Sequence, residues 1–310
     1  MRLLLRSFRR LLSALRAPRR EQRAAALWRR CLTGTTVVCA LTALATVPPA
    51  DGSQSVPPDL DATLQALASY VDRYYARAQS IVGTERITIQ TLASDLTPDG
   101  PGRRLVYDIR VEWGLGDDGE PTGKVVRELV RASGRAPECL DPPSITPEPL
   151  AMLRSSAQEK FIFSLAGTAR VSGRAARLVE YRGRRTDPVR GEFPDQCARI
   201  DLGNRMAGRI WMDDVSGEVL RVDEHLPGQV TIPIPRSASR HWSGRSIEFE
   251  RVDTSIRYRR VTFTDPVETV LLPESIDSVT VARVPGISRL RVLQEYSGYR
   301  RFVTGGRVVE

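Results

Sequence analysis

Histidine is scarce in this chain. Among 310 residues there are two, His225 and His241, and the four cysteines form neither a C-x-x-C pair nor a cluster with histidine. A zinc site is therefore not expected. The patterns H-E-x-x-H, G-x-S-x-G, the P-loop and G-x-G-x-x-G are also missing, and these mark metalloproteases, serine hydrolases and nucleotide-binding proteins. The sequence predicts a protein that is not an enzyme and holds no metal or cofactor.

The body of the chain lacks net charge, although the whole chain carries +9. Residues 1–30 contain ten arginines and a single acid, Glu21. Removing these from the chain's 46 basic and 37 acidic residues leaves 36 of each in the remainder. A neutral body has no overall electrostatic reason to bind phosphate, so nucleic acid is not an expected partner. The net charge leaves open a local basic patch.

One long apolar run follows the arginines. Leu32–Val47 contains no charged residue, but it is shorter than the roughly 20 residues that a spanning helix requires. It is typical of the apolar core of a signal peptide, with Ala43-Leu44-Ala45 as a cleavage candidate. An uncleaved anchor with a cytoplasmic basic arm is one alternative, and a core helix of a cytoplasmic protein is another. We expect the body in the periplasm, exported or anchored to the inner membrane by residues 32–47.

The composition divides the chain into four segments. They are a basic amphipathic arm (1–30), a signal-peptide core or membrane anchor (31–47), a Pro/Ser/Gly/Asp-rich linker (48–58) and a single domain (59–310).

Within the domain, one helix precedes a long series of strands. Apolar residues recur at helical spacing from Leu60 to about Ile81, with Asp59 or Asp61 as the N-cap. Apolar and polar residues then alternate in short runs separated by turn residues, which is typical of antiparallel strands. A slip in the alternation predicts a bulge near Arg259-Arg260, and Pro273 predicts a strand edge or end. Roughly ten to twelve strands and one helix predict an α+β domain.

The stretch Met206–Leu226 predicts a central β-hairpin. Its turn lies at Asp213-Asp214-Val215-Ser216-Gly217, where Asp and Gly are typical turn residues. Apolar residues alternate with polar ones on both strands, except that the alternation places Val219 on the polar side. The four residues predicted to share the apolar face are Ile210, Met212, Leu220 and Val222. The sequence alone leaves open whether they line a cavity or fill a core.

Cys139 and Cys197 lie beside prolines in the body of the chain. In an exported protein an even pair predicts a disulfide, and two free thiols are the alternative.

The remaining candidates favour structural roles. His225 follows Asp223 and Glu224, but a solvated strand end explains the group better than a metal site. Asp213-Asp214 is interpreted as a turn rather than as a pair of catalytic acids. Trp211 is expected to have a structural role against the opposite face, or to act as a partial lid, rather than to stack on a ligand. A solvated strand face is the simpler interpretation of the basic group Arg257, Arg259 and Arg260.

The hairpin and three other stretches resemble a known superfamily. Gly208–Arg221, G-x-I-W-M-D-x-x-S-G-E-V-L-R, is similar to the hairpin of the periplasmic lipoprotein-carrier-like (LolA/LolB-like) proteins. Phe163–Tyr181, Ser255–Pro273 and Glu295–Phe302 look like further segments of these proteins. The likeness is strongest to exported proteins of acidobacterial type.

The resemblance implies a fold and a function. The implied fold is an open half-barrel, a strongly curved antiparallel sheet whose concave face is covered by the long N-terminal helix and short helices. The implied function is non-enzymatic binding of a lipid or an acylated protein in an apolar groove, with Ile210, Met212, Leu220 and Val222 as candidate lining. The long basic N-terminus departs from the pattern and favours a tethered carrier. A membrane-tethered protein-interaction or envelope-sensing ectodomain is the alternative.

Overall fold

A computed structural model describes residues 59–78, 80–115, 121–133, 149–193, 198–238, 244–264, 266–284 and 286–301. These residues belong to one compact unit, Ser55–Glu310. The basic arm, the apolar run, the linker and both cysteines of the predicted disulfide lie outside the described residues.

The long helix, α1, spans Leu60–Arg77. Asp59 is its N-cap and accepts a hydrogen bond from the backbone N–H of Asp61 at 3.2 Å, as the sequence predicts. The predicted end near Ile81 is wrong, because Ile81 begins the first strand. Ser80, at the joint between the two elements, has a φ of 52°, which ends the helical path. Two short helical segments follow later, a 3₁₀ helix at Pro149–Leu153 and α2 at Ser155–Gln158.

Thirteen strands are formed by the described residues. They are β1 Ile81–Thr91, β2 Arg103–Leu115, β3 Pro121–Ala132, β4 Phe161–Val171, β5 Arg174–Gly183, β6 Arg190–Glu192, β7 Arg199–Asp201, β8 Ala207–Asp213, β9 Val219–His225, β10 Val230–Pro233, β11 Ser246–Thr264, β12 Val267–Val284 and β13 Gly286–Arg301.

Eleven of the strands form one sheet, in the order β3-β2-β1-β13-β12-β11-β9-β8-β5-β4, with β10 added on β11. All of its pairings are antiparallel. The sheet does not close, because β3 and β4 are its two edges. β6 and β7 form a separate two-stranded sheet. An open antiparallel sheet with one long helix and short helices confirms the predicted fold class.

The predicted irregularity in β11 is present two residues earlier than expected. The pairing of β11 with β12 shifts between Arg257 and Tyr258, whose partners are Ser275 and Pro273. Pro273 lies inside β12 rather than at its end. It is tolerated there because β13 pairs with β12 only from Ser275 onward, so this part of β12 has a ladder on one side only.

The two faces of the sheet differ in chemistry. Successive residues of a strand point to opposite faces. One face, here the helix-side face, carries Val179, Ile210, Val222 and Ile256 in register across β5, β8, β9 and β11, and these residues belong to the core cluster that includes α1. The other, here the open face, carries Glu180, Arg209, Asp223 and Ser255 in register on the same strands.

Candidate functional site

The helix-side face holds the four residues predicted to line a groove. Ile210 and Val222 have 0% exposure, and Met212 and Leu220 are each 4% exposed. All four belong to one core cluster that also contains Leu67 and other residues of α1. In this structure they are covered, and their contact with a ligand stays a prediction.

The hairpin contains a bulge that the alternation in the sequence does not show. The pairing of β8 with β9 shifts after Trp211, so that Met212 pairs with Val219. Val219, expected on the polar side, is therefore fully buried in the same core cluster. Both Val219 and Leu220 are buried. At a bulge one strand has an extra residue, which interrupts the alternation, so two successive side chains can both be buried.

A few polar contacts tie α1 to the rest of the fold. At its first turns, Arg177 donates to the hydroxyl of Thr63 at 3.0 Å. At its last turn, Arg77 pairs with Glu268, which also accepts from Arg301 at 2.6 Å. Burial alone would raise the pKa of Glu268, but its hydrogen bonds with Arg77 and Arg301 lower the pKa overall. Arg301 also donates to the backbone carbonyl oxygen of Arg77, and the core cluster that α1 shares with the sheet is apolar.

One buried polar pair lies on the helix-side face. Tyr181 donates a hydrogen bond to Glu224 across Gly208. A Cβ on Gly208 would lie 2.9 Å from the Tyr181 hydroxyl and 2.1 Å from the Asp223 carbonyl oxygen, so only glycine permits this crossing. Burial raises the pKa of Glu224 in spite of the hydrogen bond from Tyr181. Burial and the neighbouring Glu224 carboxylate raise the pKa of Tyr181 well above its ordinary value.

A second buried network lies on β1, β3 and β13. Glu85 is 0% exposed and accepts from Arg127 at 2.6 Å, from Gln294 at 2.9 Å and from the hydroxyl of Tyr296 at 3.0 Å. Burial and the charge of Glu85 raise the pKa of Tyr296 far above its usual range. The alternation of β1 places Glu85 among buried residues such as Ile87. That alternation is the signal from which a buried carboxylate could have been inferred.

A groove of about 1090 Å³ lies on the open face. Its floor consists of two neighbouring rows of residues that run across the strands in register. The first row is Glu180, Arg209, Asp223, Ser255 and Asp277, and the second row is Arg182, Ala207, His225, Asp253 and Val279. None of the four residues predicted to line a groove is among those that line this one.

Ion pairs occupy most of the charges in the groove. Arg209 pairs with Glu180 at 2.9 Å, and Arg291 pairs with Asp277 at 2.6 Å. Asp253 pairs with Arg251 at 2.5 Å. Such pairs on a solvated surface contribute little to stability, because water screens them, but they fix the positions of the side chains.

The turn prediction for Asp213 is confirmed. Its carboxylate accepts from the backbone N–H groups of Val215 at 3.1 Å and Ser216 at 2.7 Å. Burial would raise the pKa of Asp213, but the hydrogen bonds from Ser216 and the charge of Arg174 lower it overall.

Trp211 packs against the core cluster, and the guanidinium of Arg221 lies 4.8 Å from its ring centre. Arg260 pairs with Glu218 at 2.6 Å, and Arg257 is solvent-exposed. Arg259 lies partly buried, 5.7 Å from the ring centre of Tyr299, so the basic group is only in part a solvated face.

The described residues contain neither a group of potential metal ligands nor a helix that could cross a membrane. Within these residues, no three His, Cys, Asp or Glu side chains are grouped so that they could hold a metal ion. No helix in the described part of the chain combines the length and the apolarity needed to cross a membrane.

Comparisons with known proteins return structures but no family. No protein-family model and no curated protein matches the chain. Similar solved structures include an outer membrane lipoprotein-sorting protein domain from Vibrio parahaemolyticus, with 9% identity, 80% of this chain and 95% of that chain covered, and a TM-score of 0.41. A DUF1329 family protein from Desulfovibrio piger has 10% identity, 79% and 93% coverage and a TM-score of 0.40.

A LolA superfamily protein from Nitrosomonas europaea has 10% identity, 80% and 97% coverage and a TM-score of 0.35. The superfamily that the hairpin resembles is thus represented among the similar structures.

Proposed function

We propose that this chain is a non-enzymatic module that binds lipid acyl chains or acylated proteins outside the cytoplasm. One observation carries the proposal. The helix-side face of an open sheet is a large apolar surface, and its cover is a separate helix rather than a second sheet. An acyl chain can bind to such a surface without any charged side chains, because its affinity comes from burial of its apolar surface.

The energies of covering the face by α1 and by an acyl chain are similar. Five large side chains of α1 are buried, namely Leu67, Tyr70, Val71, Tyr74 and Tyr75. At about 1.5–3 kcal/mol each, their burial contributes on the order of 10 kcal/mol. An acyl chain of about 16 carbons at ~0.8 kcal/mol per methylene offers about 13 kcal/mol before the costs of binding. Exchange of α1 for an acyl chain is therefore close to balanced.

The proposal is tested by weakening the packing of α1 on the helix-side face. In delipidated protein titrated with a fluorescent fatty acid, Leu67→Ala should bind more tightly than the wild type, because it weakens α1 at a fully buried contact. Leu105→Ala is the matched control. Leu105 is 2% exposed and belongs to a different core cluster, with Ile87 and Ile89. Absence of binding by the wild type, or equal tightening in both variants, would contradict the proposal.

A tethered protein-interaction ectodomain is the second candidate, and edge strand β3 favours it. Val126, Leu129 and Val130 on this strand are 47%, 48% and 59% exposed. Exposed apolar residues on an unpaired sheet edge are suited to adding a strand from a partner. Val126→Lys should abolish capture of such a partner and leave fatty-acid binding unchanged.

A further inference from the structure

The groove on the open face contains two basic side chains without an ionic partner. Arg182 and His225 are both exposed, and among the described residues nothing forms a hydrogen bond or an ion pair with either side chain. The arginines 209, 251 and 291, which also line the groove, are all paired with acids. Among the basic side chains of the groove floor, the hydrogen-bond donors available to a ligand therefore belong to Arg182 and His225.

The sheet register brings the two side chains together. Arg182 pairs with Ala207, and Ala207 pairs with His225. All three belong to the second row of the groove floor, and the Cα atoms of Arg182 and His225 are separated by two strand spacings, roughly 10 Å. Ala207 has the smallest side chain in that row. Ala207 is 7% exposed, and the longer side chains of Arg182 and His225 rise from the same face on either side of it.

We infer that Arg182 and His225 hold a phosphate group of a mono- or diester over Ala207. A guanidinium presents two parallel N–H donors that match an oxyanion, and imidazole adds a further N–H from the other side. A tetrahedral phosphate directs oxygens toward both Arg182 and His225 at once. A planar carboxylate directs both of its oxygens to one side and can pair with the guanidinium alone. The free phosphate ester and the headgroup of a phospholipid share this chemistry.

The neighbouring acids set the charge of the ligand. Glu180 and Asp253 lie beside Arg182 and His225 on the floor of the groove. Each of these two acids is paired with an arginine, Glu180 with Arg209 and Asp253 with Arg251, so the charge of each is balanced. A single phosphate group fits this balance, while a polyphosphate would bring excess negative charge against both acids. The site lies on the face opposite α1 and does not depend on the proposed acyl binding.

Calorimetric titration of the full chain tests the site. The probes are glycerol 3-phosphate and dihexanoyl-phosphatidylglycerol below its micelle concentration. We expect Arg182→Gln and His225→Gln each to weaken binding about tenfold or more, since each removes a charge-assisted hydrogen bond. Both residues are exposed, so unchanged melting temperatures should accompany the loss.

Arg257→Gln is the matched control. Arg257 is an exposed arginine on the same face that does not line the groove. Its substitution should leave the affinity within about twofold of the wild type, because salt largely screens a distant exposed charge. Binding of the lipid probe alone assigns the site to a headgroup, and binding of both probes with equal affinity assigns it to the phosphate ester itself. No binding of either probe, or an equal loss in Arg257→Gln, overturns the inference.

Discussion

At the scale of single residues, Glu85 is an ionisable group that is completely buried. A fully buried carboxylate is tolerable only when its charge is paired and its oxygens are hydrogen-bonded. Arg127, Gln294 and Tyr296 meet both needs. The network also joins three strands, β1, β3 and β13, that are distant in sequence.

Removing the cation from this network should be costly. We expect Arg127→Leu to lower the free energy of unfolding by about 3–5 kcal/mol, because it leaves the fully buried carboxyl of Glu85 without its cationic partner. Chemical denaturation gives the value. The control is Arg110→Leu, which breaks the solvated pair with Glu112, whose side chains are 44% and 42% exposed, and should cost no more than about 1 kcal/mol. Equal losses in the two variants would show that the buried pair has no special weight.

Glu224 should give stability an unusual dependence on pH. Its pKa in the folded protein is raised above the unfolded value by burial. The folded state therefore binds the proton more tightly, and the stability that Glu224 contributes is lost as the pH rises through its folded pKa. Asp213, Glu218 and Glu268 have lowered pKa values, and their contributions are lost as the pH falls through theirs.

Comparison with Glu224→Gln isolates the effect of Glu224. Glutamine mimics the protonated carboxyl, so the variant should be more stable than the wild type at neutral pH and equally stable below the unfolded pKa of glutamate. At each pH, the free energy of unfolding of the wild type is subtracted from that of the variant. The contributions of the other acids are the same in both proteins and therefore drop out of this difference. A difference that stays constant with pH would refute the assignment.

At the scale of elements, the bulge in the central hairpin makes a clear prediction. Val219 is fully buried, and Val215 in the adjoining turn is 95% exposed. Val219→Asp should lower the free energy of unfolding by about 3–5 kcal/mol, because it buries an unpaired charge. Val215→Asp should change it by no more than about 0.5 kcal/mol. If simple alternation held, Val219→Asp would be as mild as Val215→Asp, and thermal denaturation separates the two cases.

The elements that sequence could predict are those with local patterns. The start of α1 follows from Asp59 and the helical spacing, and the hairpin turn follows from Asp213 and Gly217. The end of α1 was placed too late, because Ile81 fits the helical spacing equally well although it belongs to β1. Where a helix is followed directly by a strand, local periodicity cannot show to which of the two elements an apolar boundary residue belongs.

Features that depend on pairing between distant strands could not be predicted. The strand order places β13 between β1 and β12, and no local pattern encodes that choice. The groove on the open face arises from the register of β5, β8, β9 and β11, so its lining residues are scattered along the chain. The same holds for the partners of Glu85, since Gln294 is 209 residues away in sequence.

At the scale of the whole molecule, the location of the body is testable. The charge-free run Leu32–Val47 behind ten arginines predicts export. A phosphatase reporter fused after residue 60, active only outside the cytoplasm, should be active. The same fusion lacking residues 32–47 is the control and should be inactive. Activity of a cytoplasm-specific reporter at that position would instead place the body inside the cell.

The position of β13 also determines the order in which the sheet can be completed. In the sheet formed by the described residues, β1, β2 and β3 pair with the remaining strands only through β13, so this three-stranded unit cannot join the sheet before the last strand is available. Contacts that close such long loops form late and slowly. In pulse-labelled hydrogen exchange during refolding, the β1 amides bonded to β13 should gain protection after those of the β8–β9 hairpin. Simultaneous protection would exclude this sequence of events. Until β13 pairs, β1 exposes a bare edge of eleven residues, which makes the late intermediate the species most exposed to aggregation.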